Sequence, residues 1–327
     1  MINLVNAALV LSHHLKQNSL SVATASSFAS VSTINIQPYF SKKSFLSSTS
    51  TPTPTELSNN MPSYEFETPS LKIAQFVCLD DNYGYLVHNK ETGETTAIDT
   101  PCGSTYKEEL KKRGWTLTDI WNTHHHWDHT GANLELKEAY KAKIQGDNVD
   151  KIKIPGIDNA LSHGDDVSLG NVQAKVIDVG GHTKGHIAYY FPTEDCVFVG
   201  DALFTLGCGK MFEGTADQFW ASLQRLRALP PQTKVFCAHE YTMGNAKFAS
   251  WVEPNNNKLQ NRVKVLKDLR SEDKPTVPST IGDEIDTNPF LRGDVSEEIQ
   301  KNVNAVGVMD YAKVFGMIRH AKDTFRG

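Results

Sequence analysis

From about residue 70 to 240 the chain alternates short apolar runs with stretches of helical period. Tyr85-Leu86-Val87-His88, Thr96-Ala97-Ile98 and Leu117-Thr118-Asp119-Ile120-Trp121-Asn122 read as strands, as do the runs at 176–179, 196–199 and 234–238. Each is too short for a buried helix and is bounded by turn residues. Between them, residues 106–113 and 217–229 carry a helical repeat. Alternation of this kind predicts an α/β domain over 61–240. After residue 241 helical spacing dominates, notably at 259–270, which predicts a helical C-terminal domain over 241–327. Its last segment places apolar residues at 311, 314, 315, 318 and 325, and Arg319 and Lys322, three apart, share a face.

Residues 1–60 follow another rule. They are rich in Ser and Thr, contain Lys16, Lys42 and Lys43 with Glu56 as their one acidic residue, and end in Thr51-Pro52-Thr53-Pro54-Thr55. This composition suits an organellar transit peptide or a disordered segment; the apolar stretch from Leu4 to Leu11 is short and lacks the basic start of a secretory signal. A mitochondrial location is expected, with a plastid-type organelle left open. A start at Met61 would give a cytosolic form.

The 327 residues carry a net charge of -5 and a pI near 6.2. That balance offers no basic field for nucleic acid. No apolar run approaches the ~20 residues of a membrane span. The five cysteines are scattered without paired spacing, which points to a reducing compartment.

The densest chemistry lies in Thr123-His124-His125-His126-Trp127-Asp128-His129. Imidazole and carboxylate suit zinc and other borderline first-row cations. At a strand end, side chains two apart point to one side, so His124 and His126 can converge on one ion while His125 points away. Asp128 and His129 lie further round the loop and can reach a second. Three more apolar runs end in potential ligands: Gly180-Gly181-His182, Gly200-Asp201 and Ala238-His239.

The H-x-H-x-D-H pattern resembles the metallo-β-lactamase superfamily. That resemblance implies a four-layer αββα sandwich. It also implies two ligand sets, His124, His126, His182 and Asp201, and Asp128, His129, His239 and Asp201, with Asp201 shared. The segments Asp81-Asn82-Tyr83-Gly84-Tyr85-Leu86, 206–217, Asn288-Pro289-Phe290-Leu291-Arg292 and Lys322-Asp323-Thr324-Phe325 further resemble the hydroxyacylglutathione hydrolase (glyoxalase II) family. The resemblance implies that Lys210, Tyr241, Arg319 and Lys322 bind glutathione, with Phe212 beside them where many members have tyrosine. It implies two divalent ions per chain, zinc foremost, with iron and manganese also compatible. Hydroxide generated between them, oriented by Asp128, would hydrolyse S-D-lactoylglutathione to D-lactate and glutathione. A small-molecule glutathione thioester is the expected partner, and the chain is expected to be monomeric.

Other residues are read more plainly. His186 is expected to be supporting, His163 a turn residue, His88 without a partner, Asp99 a hydrogen-bond acceptor for a ligand histidine, and Cys208 a packing residue; Asp80-Asp81 looks ordinary. Family members often carry Thr-Pro before the Gly-His or Cys-His of the third histidine, where this chain has Val179-Gly180-Gly181-His182. The main alternative is a glutathione persulfide dioxygenase, a mononuclear-iron oxidoreductase of the same superfamily. The C-terminal helical region and the loop at 207–210 argue against it.

Overall fold

The computed structural model describes residues 63–327; the transit-peptide reading of residues 1–60 and the start at Met61 fall outside them. Two sheets face each other across an apolar layer. The first runs in chain order: Ser63–Glu67 (β1), Leu71–Cys78 (β2), Asn82–Asn89 (β3), Thr95–Ile98 (β4), Asp119–Trp121 (β5), Lys143–Asp147 (β6) and Asn159–Leu161 (β7). Pairing is antiparallel from β1 to β4 and parallel from β4 to β7. Parallel neighbours require crossovers. Gly103–Arg113 (α1) supplies the first, and Trp127–Thr130 (α2) with Asn133–Tyr140 (α3) the second.

The second sheet is built from Asp166–Leu169 (β8), Val172–Asp178 (β9), Ile187–Phe191 (β10) and Cys196–Gly200 (β11). After a small hairpin, Leu203–Phe204 (β12) with Gly207–Cys208 (β13), and the helix Ala216–Arg227 (α4), the strand Lys234–Cys237 (β14) joins it. β14 pairs parallel to β11, and Ser279–Thr280 (β15) closes the edge.

Both faces of the central strands are covered, which is why their sequences read as near-continuous apolar runs. In the first sheet Ile73, Tyr85 and Trp121 point inward to Tyr189, Phe198 and Phe236 of the second. Tyr85 meets Phe198 edge-on at 5.4 Å, and Trp121 lies 5.2 Å from Tyr189. The opposite face, with Phe76, Leu86 and Ile120, is covered by Tyr106 and Leu110 of α1 and Leu136 of α3.

The C-terminal region contributes Thr242–Val252 (α5), Asn257–Ser271 (α6), Ile281–Thr287 (α7), Glu297–Asn302 (α8) and Tyr311–Thr324 (α9). Phe315 of α9 packs at 5.4 Å against Phe219 of α4, completing the fourth layer. Burial of such a side chain is worth about 1.5–3 kcal/mol. The layers are therefore αββα, as expected. The sequence-expected helices at 106–113, 217–229, 259–270 and 311–325 appear as α1, α4, α6 and α9. Among the described residues no helix is long and apolar enough to cross a membrane.

His88 departs from expectation. It does have partners: Nδ1 lies 2.9 Å from Thr95 Oγ1, and the ring stacks on Trp115 at 4.4 Å.

Candidate metal centre

All seven expected ligands gather where strands end. His124 and His126 follow β5, and α2 carries Asp128 and His129. His182 lies beyond β9, Asp201 beyond β11, and His239 beyond β14. Two glycines make the turns possible. Gly181, at φ 149°, has Phe219 where a Cβ would sit, and Gly200, at φ 51°, has Thr123 there. A proline-containing turn is not used before His182.

The ligand atoms form two groups. His126 Nδ1 is 3.1 Å from both His124 Nε2 and His182 Nε2. Opposite, Asp128 Oδ2 is 3.5 Å from His129 Nε2 and 3.4 Å from His239 Nε2. Asp201 stands between. Its Oδ2 lies 3.4 Å from His182 Nε2, while Oδ1 lies 3.3 Å from His239 Nε2 and 3.5 Å from His129 Nε2. One carboxylate thus presents one oxygen to each group.

Most ligand rings are held from behind. His129 Nδ1–H donates to Asp99 Oδ2 at 2.8 Å, His239 Nδ1–H to Asp81 Oδ1 at 2.8 Å, and His182 Nδ1–H to the Lys210 carbonyl at 2.7 Å. These partners can only accept, so each ring keeps its proton on Nδ1 and turns the Nε2 lone pair inward. His124 Nδ1 meets Thr123 Oγ1 at 3.1 Å, and Thr123 in turn donates to Asp99 from its N–H and hydroxyl at 2.7 and 2.8 Å. Asn82 Nδ2 donates to Asp128 Oδ2 at 3.2 Å.

Asp99 therefore acts as expected. Asp81, which looked ordinary, orients His239. Thr123 and Asn82 are supports that the ligand spacing does not single out. Only their place beside the ligand motif and in the Asp81–Leu86 segment hinted at them. His186 supports the site: its Nε2 accepts the Asp201 N–H at 3.2 Å and its ring stacks on His124 at 4.5 Å. His163 lies in a turn and accepts the Asp178 N–H at 3.2 Å. His125 faces away from the ligands, toward Asp150 and Glu213.

The electrostatics divide the centre. Burial first, then neighbouring imidazoles, lowers His126 to about 4, and the same causes depress His124. Burial lowers His182 as well. These three rings are neutral at pH 7 and ready to ligate. Burial opposes protonation of His239 too, but the Asp201 and Asp81 carboxylates outweigh it and lift the ring to about 9. His129 is raised against burial by Asp201 and Asp99. Asp201 is held well below the usual carboxylate range: burial opposes this, and His239 and His129 overcome it. A divalent cation would take the place of those two ring protons.

The residues fit metal. His129 Nε2 and Asp201 Oδ1 are buried without a hydrogen-bond partner. Native interiors rarely leave polar atoms so, and these two point into the gap between the ligand groups. Three groupings, His124/His126/His182, His124/His129/Asp201 and Asp128/His129/His239, each bring their ligand atoms within 4.8 Å of one another.

Beside the centre lies a cavity of about 450 Å³ lined by Lys210, Tyr241, Arg319 and Lys322, with Glu240 and Asp323 adding negative charge. Tyr241 joins it to the ligands by stacking on His239 at 4.7 Å. Phe212 lies outside the cavity lining, exposed, with its ring 5.2 Å from His182 and 6.0 Å from His126. Lys210 Nζ sits over that ring at 5.3 Å.

Arg319 differs from a free surface cation. It is buried, donates to Asp323 Oδ1 at 2.7 Å and to the Cys208 carbonyl at 3.1 Å, and lies over Phe290. Lys322 donates to the Gly244 carbonyl at 3.1 Å; burial, then Arg319, lowers its pKa. Burial pushes the Cys208 thiol up to about 11, which suits a packing residue.

Residues 81–239 match the model of the metallo-beta-lactamase superfamily, and residues 240–325 that of the hydroxyacylglutathione hydrolase C-terminus. A hydroxyacylglutathione hydrolase of Hyphomonas neptunium is 51% identical over 255 residues, spanning 78% of this chain and 98% of its own. The chain belongs to the hydroxyacylglutathione hydrolase family. A second member, from Methylococcus capsulatus, is 49% identical over 79% of this chain and 100% of its own.

Among solved structures, the B3 metallo-beta-lactamase BLEG-1 is similar at TM-score 0.50 and 21% identity, covering 64% of this chain and 94% of its own. ETHE1 from Myxococcus xanthus is similar at TM-score 0.50 and 24% identity, covering 80% and 96%. At these identities they establish the fold alone. Membership of the hydroxyacylglutathione hydrolase family makes the chain a thioester hydrolase with a divalent-metal site in its His/Asp clusters. It leaves the dioxygenase alternative unfavoured, since the C-terminal match is to the hydrolase.

Proposed function

We propose that the chain hydrolyses S-D-lactoylglutathione and related S-2-hydroxyacylglutathione thioesters to the free acid and glutathione, the second step of methylglyoxal detoxification. The supporting observation is the shared Asp201 between two ligand groups, with a basic cavity one stacked ring away. His124, His126 and His182 would hold one divalent cation, Asp128, His129 and His239 the other, and Asp201 both. Zinc is the first choice and iron or manganese the next. When bound, such a pair lowers the pKa of water toward neutrality and stabilises a developing oxyanion.

The chain's own groups do the rest. Asp128, fixed by Asn82, orients the attacking water and receives its proton. Water adds to the acyl carbon, the C–S bond breaks, and glutathione leaves as thiolate. A thiol pKa of ~8.5 makes a strong general acid unnecessary. Lys210 and Lys322 pair with substrate carboxylates, Tyr241 lines the thioester's approach, and Arg319 shapes the wall through the Cys208 carbonyl. Residues 241–327 thereby act as the substrate-binding region of a monomer. Residues 1–60 direct the enzyme to the mitochondrion; N-terminal sequencing of the cellular protein tests this, and a single species retaining them contradicts it.

The function is tested by comparing S-D-lactoylglutathione with the same acyl group on N-acetylcysteamine, which lacks both glutathione carboxylates. The expected result is a kcat/KM at least about a hundredfold higher for the glutathione thioester, as two lost ion pairs imply. Equal values would overturn glutathione recognition.

A further inference from the structure

Four of the five metal-facing histidine rings have their second nitrogen secured by Thr123, Asp99, Lys210 or Asp81. His126 is the exception. It faces the centre through Nδ1, is only partly buried, and its Nε2 meets no hydrogen-bonding protein group among the described residues. Among protein groups, the loop that carries it is what can orient it.

Its neighbour His125 lies between two carboxylates, close to both, though its buried Nδ1 makes no hydrogen bond. Nδ1 lies 3.2 Å from Asp150 Oδ2 and Nε2 lies 3.6 Å from Glu213 Oε1. These three could in principle cage a cation. Lys153 already fills that role: its Nζ is 2.9 Å from Asp150 Oδ1 and 3.3 Å from Glu213 Oε1. Both acids also hold backbone close to His182. Asp150 Oδ2 accepts the Gly185 N–H at 2.9 Å, and Glu213 Oε2 accepts the Lys184 N–H at 3.0 Å. Glu213 N–H donates back to the His182 carbonyl at 3.3 Å. The cluster thus joins the loop that carries His124, His126, Asp128 and His129 to the segment that carries His182.

We propose that His125, Asp150, Glu213 and Lys153 form an outer clamp that positions His126, replacing the hydrogen bond its ring lacks, and so sets metal retention by the three-histidine group. The inference rests on the metal-centre reading above but not on the identity of the thioester. None of the four touches substrate; they are positioning residues.

The experiment uses the metal-loaded protein with Asp150→Asn, Glu213→Gln, both together, His126→Ala, and the triple combination. Metal-to-protein ratio is measured by elemental analysis after dialysis against graded chelator, and thermal unfolding is followed for the metal-free forms. Outer partners of metal ligands are worth roughly 10–100-fold in metal affinity. The Asp150→Asn/Glu213→Gln protein should therefore lose its first equivalent at about tenfold less chelator than the parent, with metal-free unfolding unchanged. Added to His126→Ala, the same two changes should cost nothing more, because the clamp acts through that ring. Should the double variant not fold, Glu213→Gln alone, at the more exposed end, still reads the effect.

Unchanged retention, full additivity with His126→Ala, or loss that only tracks metal-free stability would overturn the clamp while leaving the thioester reading intact. A parent that takes up no metal would sink both. A parent that holds metal but cleaves no thioester would sink the function alone.

Discussion

The metal centre and the cavity beside it are built to different standards. His124, His129 and His239 are 0%, 1% and 3% exposed. Each turns its second nitrogen to a fixed partner behind it. In the cavity, Lys210 and Tyr241 are exposed and Lys322 is half-buried; only Arg319 is sunk into the fold. Chemistry depends on sub-ångström placement, so those rings are locked before any substrate arrives. Binding of a flexible tripeptide tolerates mobile ammonium groups, which lose up to ~2 kcal/mol of rotamer freedom when they engage. Mutations in the centre should therefore reduce kcat and metal content, and mutations in the cavity should raise KM.

The largest effect is expected at the shared carboxylate. Asp201→Ala should lose bound metal and at least about 10³-fold in kcat, since it removes one oxygen from each ligand group. Elemental analysis alongside turnover checks this, and a metal-replete, active variant would break the contrast. Next comes Asp81→Ala, which frees His239 to rotate. Metal affinity should fall about 10–100-fold, measured by chelator competition. On the cavity side, Lys322→Ala should raise KM about tenfold with kcat little changed, as expected for an interaction equal in ground and transition states. Arg319→Ala should do the same and also lower the unfolding temperature, because it strands Asp323 and the Cys208 carbonyl. The smallest change is Phe212→Tyr. A hydroxyl on that exposed ring should lower KM by about threefold through one net hydrogen bond, read from steady-state kinetics.

Much of the centre was legible because it is local. His124, His126, Asp128 and His129 sit in one loop, and His182, Asp201 and His239 each follow an apolar run. The rest lay in long-range pairings that spacing cannot reveal. Asp81 reaches His239 from 158 residues away. His88 finds Trp115 only because β3 and the segment before β5 are brought side by side. Helical spacing put Arg319 and Lys322 on one face but could not say that one of them would be covered, since that depends on α9 docking against α4 and on the Cys208 loop. β15 is two residues long and has no pattern to read; it exists because β14 offers it an edge. The acidic and basic partners around His125 come from loops at 150, 153 and 213 and meet only in three dimensions.

The proposed hydrolysis by this chain requires two cation positions sharing Asp201. The most direct measurement adds zinc stepwise to metal-free protein while following S-D-lactoylglutathione hydrolysis and bound metal together. Turnover should rise to its plateau only as the second equivalent binds. A plateau reached at one equivalent, or a fully metallated protein that leaves the thioester uncut, would contradict it.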